Sequence, residues 1–274
     1  MSDLPGCTDA AVLPVTVTGE GEPLLMIHGI ISDSSFFAEI SGRLSTRYKV
    51  ITYDRRGYGN ASRTEGMEFT VAQQAKDAAD VLRQTCGEPA WIVGNSAGGL
   101  IALELCMRYP ALTRGMLLVE PSISFDPECV AAMAEWNREL NDYLDSGRIK
   151  RALPAFGRVT GDPGAGGQGL SLSQMKTVYA NLSNFMHGEL NEVQRYTPTR
   201  QQLSAIPVPV QILITESGKD SIFGKSSLML AKEMNWEAVF LPGYHNALRD
   251  APDTSADCIH KCIEEIKDGE KRQI

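Results

Sequence analysis

The sequence predicts an α/β fold in which helices flank a mostly parallel β-sheet. Short apolar runs alternate with longer amphipathic segments along most of the 274 residues, which is the pattern of strands and helices formed in turn. With 43% hydrophobic residues the chain can bury a large core, and its length lies near the upper limit for a single domain. We therefore expect one domain that carries an insertion.

Seven apolar segments are predicted to be strands. A glycine-containing turn at residues 19–22 joins the first two of them. Because parallel strands need crossover connections, the amphipathic segments between the others should be helices that cover both faces of the sheet. The predicted strands are residues 15–18, 23–28, 48–54, 90–93, 115–120, 210–215 and 238–241.

The alternation breaks once, between Pro121 and Ile206, where no strand-like run occurs. Helical periodicity runs from Val130 to Leu144 and from Met175 to Phe185, and a glycine-rich stretch at residues 161–169 separates the two segments. Such a stretch is typical of a mobile surface loop. We expect a helical cap at residues 121–205, inserted into a core made of residues 1–120 and 206–274.

The charge and the cysteines narrow the possible partners and the compartment. The formal net charge is -8, and the 26 lysines and arginines form no basic block, so we expect no nucleic-acid partner. No run of 18 apolar residues and no signal-peptide pattern is evident, so we expect a cytoplasmic protein without a membrane partner. Six cysteines in such a chain indicate free thiols.

Residues 94–98 read Gly-Asn-Ser-Ala-Gly and place Ser96 in a GxSxG motif. A lone GxSxG is weak in a chain with 25 glycines, but here a predicted strand precedes it and a helix follows, which is the setting of a nucleophile elbow. Side chains at Gly94 and Gly98 would collide with the adjoining strand or helix at so sharp a turn. The pattern predicts that Ser96 is a nucleophile at a helix N-terminus and that the Ala97 N–H is an oxyanion donor.

A second oxyanion donor is expected after the strand at residues 23–28. The sequence LLMIHGI places His28 and Gly29 at the end of that strand, which would bring the N–H of Ile30 toward the same pocket. We expect His28 to shape this loop rather than to act as a base.

Four motifs follow one another along the chain: residues 28–29, 54–59, 94–98 and 241–245. With these motifs in this order, the chain resembles the α/β-hydrolase superfamily over nearly its whole length. That resemblance implies a mostly parallel eight-stranded sheet with a cap after the sixth strand, which agrees with the break at Pro121. It also implies that the DRRGYG segment at residues 54–59 shapes a turn rather than contacts substrate.

A serine hydroxyl needs a neutral imidazole within hydrogen-bond reach to take its proton. Of the four histidines, His28 lies in the oxyanion loop, His187 in the cap and His260 inside the last helix. His245 follows the final predicted strand, where the chain order of this fold, Ser, acid, His, places the base. We therefore predict that His245 is the general base.

Three carboxylates compete to be the acid that orients His245. Most of the family uses an acid after the seventh strand, where Glu216 and Asp220 each lie about two residues from the usual position. Glu120 ends the sixth strand instead, and its Glu-Pro sequence resembles that of zearalenone-type lactonases. We favour Glu120 and keep Asp220 as the main alternative, with Glu216 third.

The resemblance implies a serine hydrolase that uses neither a cofactor nor a metal. An ester or lactone of a hydrophobic small molecule is the predicted substrate, because the cap holds more aromatic and apolar residues than its own core needs. Amide or carbon–carbon bond hydrolysis with the same triad, and a hydrolase-fold receptor with slow turnover, stay open as alternatives. The oligomeric state is not indicated. The cap residues that suggest an apolar pocket are Trp136, Tyr143, Tyr179, Phe185 and Met186.

Overall fold

A computed structural model of the chain describes residues 13–61, 67–163 and 171–271. Its centre is a seven-stranded sheet in the order β1-β3-β2-β4-β5-β6-β7. β1 is antiparallel to β3, and every other neighbouring pair is parallel. The strands are β1 Val15–Thr18, β2 Glu22–Ile27, β3 Tyr48–Tyr53, β4 Ala90–Asn95, β5 Thr113–Val119, β6 Val210–Thr215 and β7 Glu237–Leu241.

All seven segments predicted from the apolar runs are strands, with ends that differ by at most two residues. The resemblance implied an eighth strand, and the described residues do not contain one: no described segment pairs with the outer edge of β1. β1 and β2 are consecutive in the chain, yet β3 lies between them in the sheet.

Helices cover both faces of the sheet, as the strand pattern predicts. Along β2, Leu25 and Ile27 enter one buried cluster and Leu24 and Met26 enter the other, because successive side chains of a strand point to opposite faces. All four side chains are completely buried, so the central strand is apolar on both faces. The helices of this layered core are α1 Ala38–Leu44, α2 Val71–Thr85, α3 Ala97–Arg108, α9 Ile222–Met234, α10 Ala247–Asp250 and α11 Pro252–Lys271.

Between β5 and β6, the described residues form five further α-helices, a short 3-10 helix at Ile149–Arg151 and a π-helical turn. Two of them, α4 and α6, are the helices that periodicity predicts in this region. α5 escaped prediction because Pro154 and Gly157 interrupt its pattern, and α7 and α8 are too short to show one. The elements are α4 Pro127–Asp145, α5 Ala152–Thr160, α6 Leu172–Asn184, the π-turn Phe185–Glu189, α7 Leu190–Arg195 and α8 Arg200–Ser204.

These helices form a third buried cluster, which also contains Tyr58 and contacts Ile30 and Ile31 from the sheet domain. The cluster lies over the loop that follows β2, so the inserted helices stand beside the predicted site. We retain residues 121–205 as our proposed cap. The glycine-rich segment 161–169 falls mostly outside the described residues. Within the described ranges, no helix is both long enough and apolar enough to cross a membrane.

The start of α3 packs unusually close to the sheet. A Cβ atom at Gly98 would overlap the carbonyl oxygen of Ile27 and lie 2.8 Å from its carbonyl carbon. Since both are backbone atoms of a central strand, neither can move aside without displacing β2. Glycine at position 98 therefore sets the distance between α3 and the sheet.

The substitution Gly98→Ala should lower the free energy of unfolding by at least about 2 kcal/mol, because the added methyl group overlaps the backbone of β2. Gly42→Ala is the matched control, since Gly42 lies in α1 and an added Cβ there would have no described atom within 4 Å apart from its chain neighbours and the backbone of its own helix. That change should raise the stability by about 0.5–1 kcal/mol through helix propensity. Urea unfolding of both variants measures the difference, and equal effects would contradict this account of the packing.

Candidate active site

Ser96 occupies a strained turn between β4 and α3. Its backbone has φ 55° and ψ -121°, a positive φ that residues other than glycine rarely adopt. The Ser96 N–H donates to the Val119 carbonyl of β5 at 2.9 Å, and the Ser96 carbonyl accepts from the Gly99 N–H at the same distance. These bonds hold the residue at the carboxyl end of β4, as the motif predicts.

Glycines around Ser96 permit close contacts between three chain segments. A Cβ at Gly94 would lie 2.7 Å from the Gly98 carbonyl oxygen, and one at Gly29 would lie 3.2 Å from the Cβ of Ser96. Side chains at Gly94 and Gly98 would therefore collide with neighbouring backbone, for the reason given from the sequence. The absence of a side chain at Gly29 lets the loop after β2 lie next to Ser96.

The Ser96 hydroxyl is hydrogen-bonded to a residue that the sequence reasoning missed. Its Oγ lies 3.1 Å from the Oγ of Ser122, two residues after Glu120 on the loop that leaves β5. Among the hydrogen bonds of the described residues, none joins Ser96 Oγ to the imidazole of His245, although both residues line the same cavity. The position of Ser122 beside the end of β5 was the available signal.

His245 is hydrogen-bonded to Glu120. Nδ1 of His245 lies 2.6 Å from Oε2 of Glu120, and the glutamate side chain is completely buried. Oε1 of Glu120 accepts from the Thr215 N–H at 2.8 Å and from the Thr215 hydroxyl. An imidazole that donates from Nδ1 to a carboxylate presents Nε2 as an acceptor when it is neutral. The arrangement can therefore accept a proton at Nε2.

The pKa of Glu120 is lowered although the residue is buried. Burial alone would raise the pKa, but the hydrogen bond from His245, the electrostatic attraction between the two side chains and the two Thr215 donors outweigh that effect. The carboxylate therefore stays ionised at neutral pH. Thr215 was not singled out in the sequence, and its place at the end of β6, next to β5, was the only signal.

The two other candidate acids do not contact His245. Glu216 and Asp220 are both exposed, because β6 ends at Thr215 and the chain then turns outward before α9. The side chain of Ser221, the next residue after Asp220, caps that helix by accepting from the Gly224 N–H at 3.1 Å. The structure thus brings Glu120 to His245 and leaves Asp220 and Glu216 at the surface.

The two predicted oxyanion donors belong to residues close to Ser96. Ile30 lines the cavity and follows Gly29, the residue beside Ser96. Ala97 is the first residue of α3, where N–H groups have no partner within the helix. Within the described part of the chain, neither N–H takes part in a hydrogen bond with another protein group.

A cavity of about 120 Å³ contains Ser96 and His245. Most of its wall is apolar, and among the described residues that line it Arg249 is the one arginine, lysine or carboxylate side chain. The Arg249 guanidinium is paired with Asp250 at 2.6 Å. The wall residues are Gly29, Ile30, Ile31, Ser32, Phe36, Asn95, Ser96, Trp136, Leu153, Phe156, Thr160, Val178, Phe223, His245, Asn246 and Arg249.

Of the five cap residues that suggested a pocket, Trp136 alone lines this cavity. Phe185 and Met186 are buried in the helical cluster, and Tyr143 packs against it. Tyr179 is exposed, with the Lys150 ammonium 5.3 Å from its ring centroid. The lining depends instead on residues such as Phe156 and Phe223, whose positions follow from helix packing rather than from any motif.

Residues 22–250 match the family model for the alpha/beta hydrolase fold. A relative from Bacillus subtilis strain 168, described as the uncharacterized hydrolase YraK, is 34% identical over 259 residues, which is 92% of each chain. The match to the family model covers strands β2 to β7, the inserted helices and the site.

Two solved structures share the fold at low sequence identity. A thermophilic esterase from Thermogutta terrifontis superposes with a TM-score of 0.72 at 19% identity, over 93% of each chain. A meta-cleavage product hydrolase from Pseudomonas fluorescens IP01 gives 0.72 at 18% identity, over 94% of this chain and 96% of the other. Since the two neighbours carry different descriptions, the fold does not select the reaction.

Proposed function

Because the chain belongs to the α/β-hydrolase family, we propose that it is a serine hydrolase that cleaves a carboxylic ester or lactone of a hydrophobic small molecule. One observation supports this most directly: the strained Ser96 and the Glu120-bonded His245 line one apolar cavity. In the proposed triad Ser96 is the nucleophile, His245 the general base and Glu120 the acid, and the N–H groups of Ile30 and Ala97 form the oxyanion hole.

The proposed reaction starts with attack by Ser96 Oγ on the acyl carbonyl carbon. His245 Nε2 takes the hydroxyl proton, and the negatively charged oxygen accepts hydrogen bonds from Ile30 and Ala97. The imidazolium then protonates the departing alcohol oxygen, which leaves the acyl group on Ser96. Water next loses a proton to His245 and attacks the acyl carbon, and the returning proton restores the serine.

One feature of the site supports these roles, and a second sets a condition for the attack by Ser96. The lowered pKa of Glu120 keeps its charge opposite the imidazolium that forms during each half of the reaction. The Ser96 hydroxyl must exchange its Ser122 partner for His245 before it attacks, and such hydrogen bonds commonly tighten only when substrate is bound.

The cavity supports a small, mostly apolar substrate. Phe156 and Phe223 contribute aromatic surface to its wall, which favours burial of a hydrocarbon group. The proposed triad needs neither a metal nor an organic cofactor for acyl transfer. Amide and carbon–carbon substrates would use the same residues, so the substrate panel should contain them.

Short p-nitrophenyl esters, phenyl-substituted lactones, the matching p-nitroanilides and a phenyl-substituted 1,3-diketone test the proposal. We expect turnover of the esters or lactones and a fall in kcat of at least about 10³-fold in Ser96→Ala, because the nucleophile is lost. Thermal unfolding of the variant serves as the control for folding. Equal ester turnover by Ser96→Ala would contradict the role of Ser96, and binding without turnover would favour the receptor alternative.

Glu120→Gln should lower kcat by about three orders of magnitude, since the amide cannot stabilise the imidazolium. Asp220→Asn is the matched control, because Asp220 is exposed, and it should retain nearly full activity. Steady-state kinetics on the best ester measures both variants. The opposite ranking would transfer the role of the acid to Asp220.

A further inference from the structure

We infer that Arg55 and Glu189 are positioning residues that hold the Gly29–Ile30 peptide so that the Ile30 N–H faces Ser96. The inference rests on the proposed function, because it concerns one donor of the proposed oxyanion hole. Neither side chain lines the cavity, and both are at most 1% exposed. They therefore act through the loop and not on the substrate.

The carbonyl of Gly29 and the N–H of Ile30 belong to one planar peptide group. In a trans peptide these two bonds point in opposite directions, so donors on the carbonyl side fix where the N–H points. Nη2 of Arg55 donates to the Gly29 oxygen at 2.8 Å, and Nδ1 of His28 lies 2.8 Å from the same oxygen.

The hydrogen bonds of His28 fix its tautomer. Its Nε2 lies 3.1 Å from the backbone N–H of Arg55 and must accept that bond, so the ring proton is on Nδ1 and His28 donates to Gly29. Burial and the nearby Arg55 charge lower the pKa of His28 well below its usual value, consistent with a neutral ring. Arg55 Nε lies 3.5 Å from His28 Nδ1. With the ring proton on Nδ1, both atoms are donors, so this contact is not a hydrogen bond.

Glu189 holds Arg55 from the inserted helices. It lies in the π-helical turn 185–189, and its carboxylate accepts from the Arg55 guanidinium, from Gln74 Nε2 at 2.7 Å and from the Tyr58 hydroxyl. A buried ion pair with this many hydrogen bonds allows few alternative geometries. The guanidinium is thereby held where it reaches Gly29.

The DRRGYG segment at residues 54–59 also contributes to a buried ion pair away from the cavity. Arg56, the next residue, pairs with Asp77 through Nε and Nη2, and both side chains are nearly inaccessible. Among the described residues, Arg56 and Asp77 are not part of the cavity lining, and their side chains form no hydrogen bond with Gly29. It is a matched control, because breaking it also disturbs a buried charge.

The test compares Glu189→Gln and Arg55→Lys with Asp77→Asn and Arg56→Lys. Each variant is titrated with 1,1,1-trifluoro-4-phenylbutan-2-one and with 4-phenylbutan-2-one. The first ketone accepts Ser96 Oγ at its carbonyl carbon, sends the hydroxyl proton to His245 and places an alkoxide in the oxyanion hole. The second ketone binds without forming an oxyanion. The inhibition constant of the second ketone divided by that of the first therefore measures how strongly the oxyanion donors stabilise the adduct.

We expect Glu189→Gln and Arg55→Lys to reduce that ratio and the kcat for p-nitrophenyl butyrate about tenfold or more, with KM changed less than about threefold. Asp77→Asn and Arg56→Lys should keep the ratio within about twofold of the wild type, even if they unfold at lower temperature. A variant that is folded but melts at a lower temperature would keep both the ratio of the inhibition constants and the wild-type values of kcat and KM.

The outcomes separate this inference from the proposed function. A wild type without ester turnover or preference for the trifluoromethyl ketone would overturn the proposed function, and this inference with it. A wild type with both properties, together with an unchanged ratio in Glu189→Gln and Arg55→Lys, would overturn only the positioning role. Failure of both of these variants to fold, while Asp77→Asn and Arg56→Lys fold, would overturn it in favour of a purely structural role.

Discussion

The turn at Ser96 is the constraint on which the rest of the site depends. A positive φ at a residue other than glycine costs on the order of 1–3 kcal/mol and persists only where the surroundings leave no alternative. Here β5 binds the Ser96 N–H, while glycines at positions 94 and 98 let α3 start directly against β2. Backbone strain at Ser96 and close packing around it therefore determine the position of the Ser96 hydroxyl.

Glu120 directly follows Val119, the residue that binds the Ser96 N–H, and it contacts residues at the ends of two other strands. Its buried carboxylate accepts from Thr215 at the end of β6 and from His245 after β7, so all its partners come from chain segments distant in sequence. Removing one partner would leave a buried charge under-satisfied, at a cost of roughly 1–3 kcal/mol. Glu120 itself has φ 40°, a second strained residue at the carboxyl edge of the same sheet.

The sequence was sufficient where the determinants are local. Apolar runs predicted all seven described strands. The GxSxG motif and the late histidine led to the proposed roles of Ser96 and His245, two residues that the structure places in one cavity. The sequence favoured Glu120 as the acid but left Asp220 and Glu216 open, because the choice depends on where the chain turns after Thr215. Most residues of the cavity wall were not predicted from the sequence. Phe156, for example, lies in α5, where Pro154 and Gly157 interrupt the helical pattern. Arg55 was expected to shape a turn, and its contact with Glu189 spans 134 positions.

Labelling with a fluorophosphonate tests the central claim most directly, because the reagent reacts fastest with an activated serine next to an oxyanion hole and stays covalently bound to it. We predict that the intact protein gains one phosphonyl group, that peptide mapping places it on Ser96, and that Ser96→Ala stays unlabelled. Hydrolysis of esters by a wild type that forms no adduct at Ser96, or an adduct on a different residue, would contradict the account.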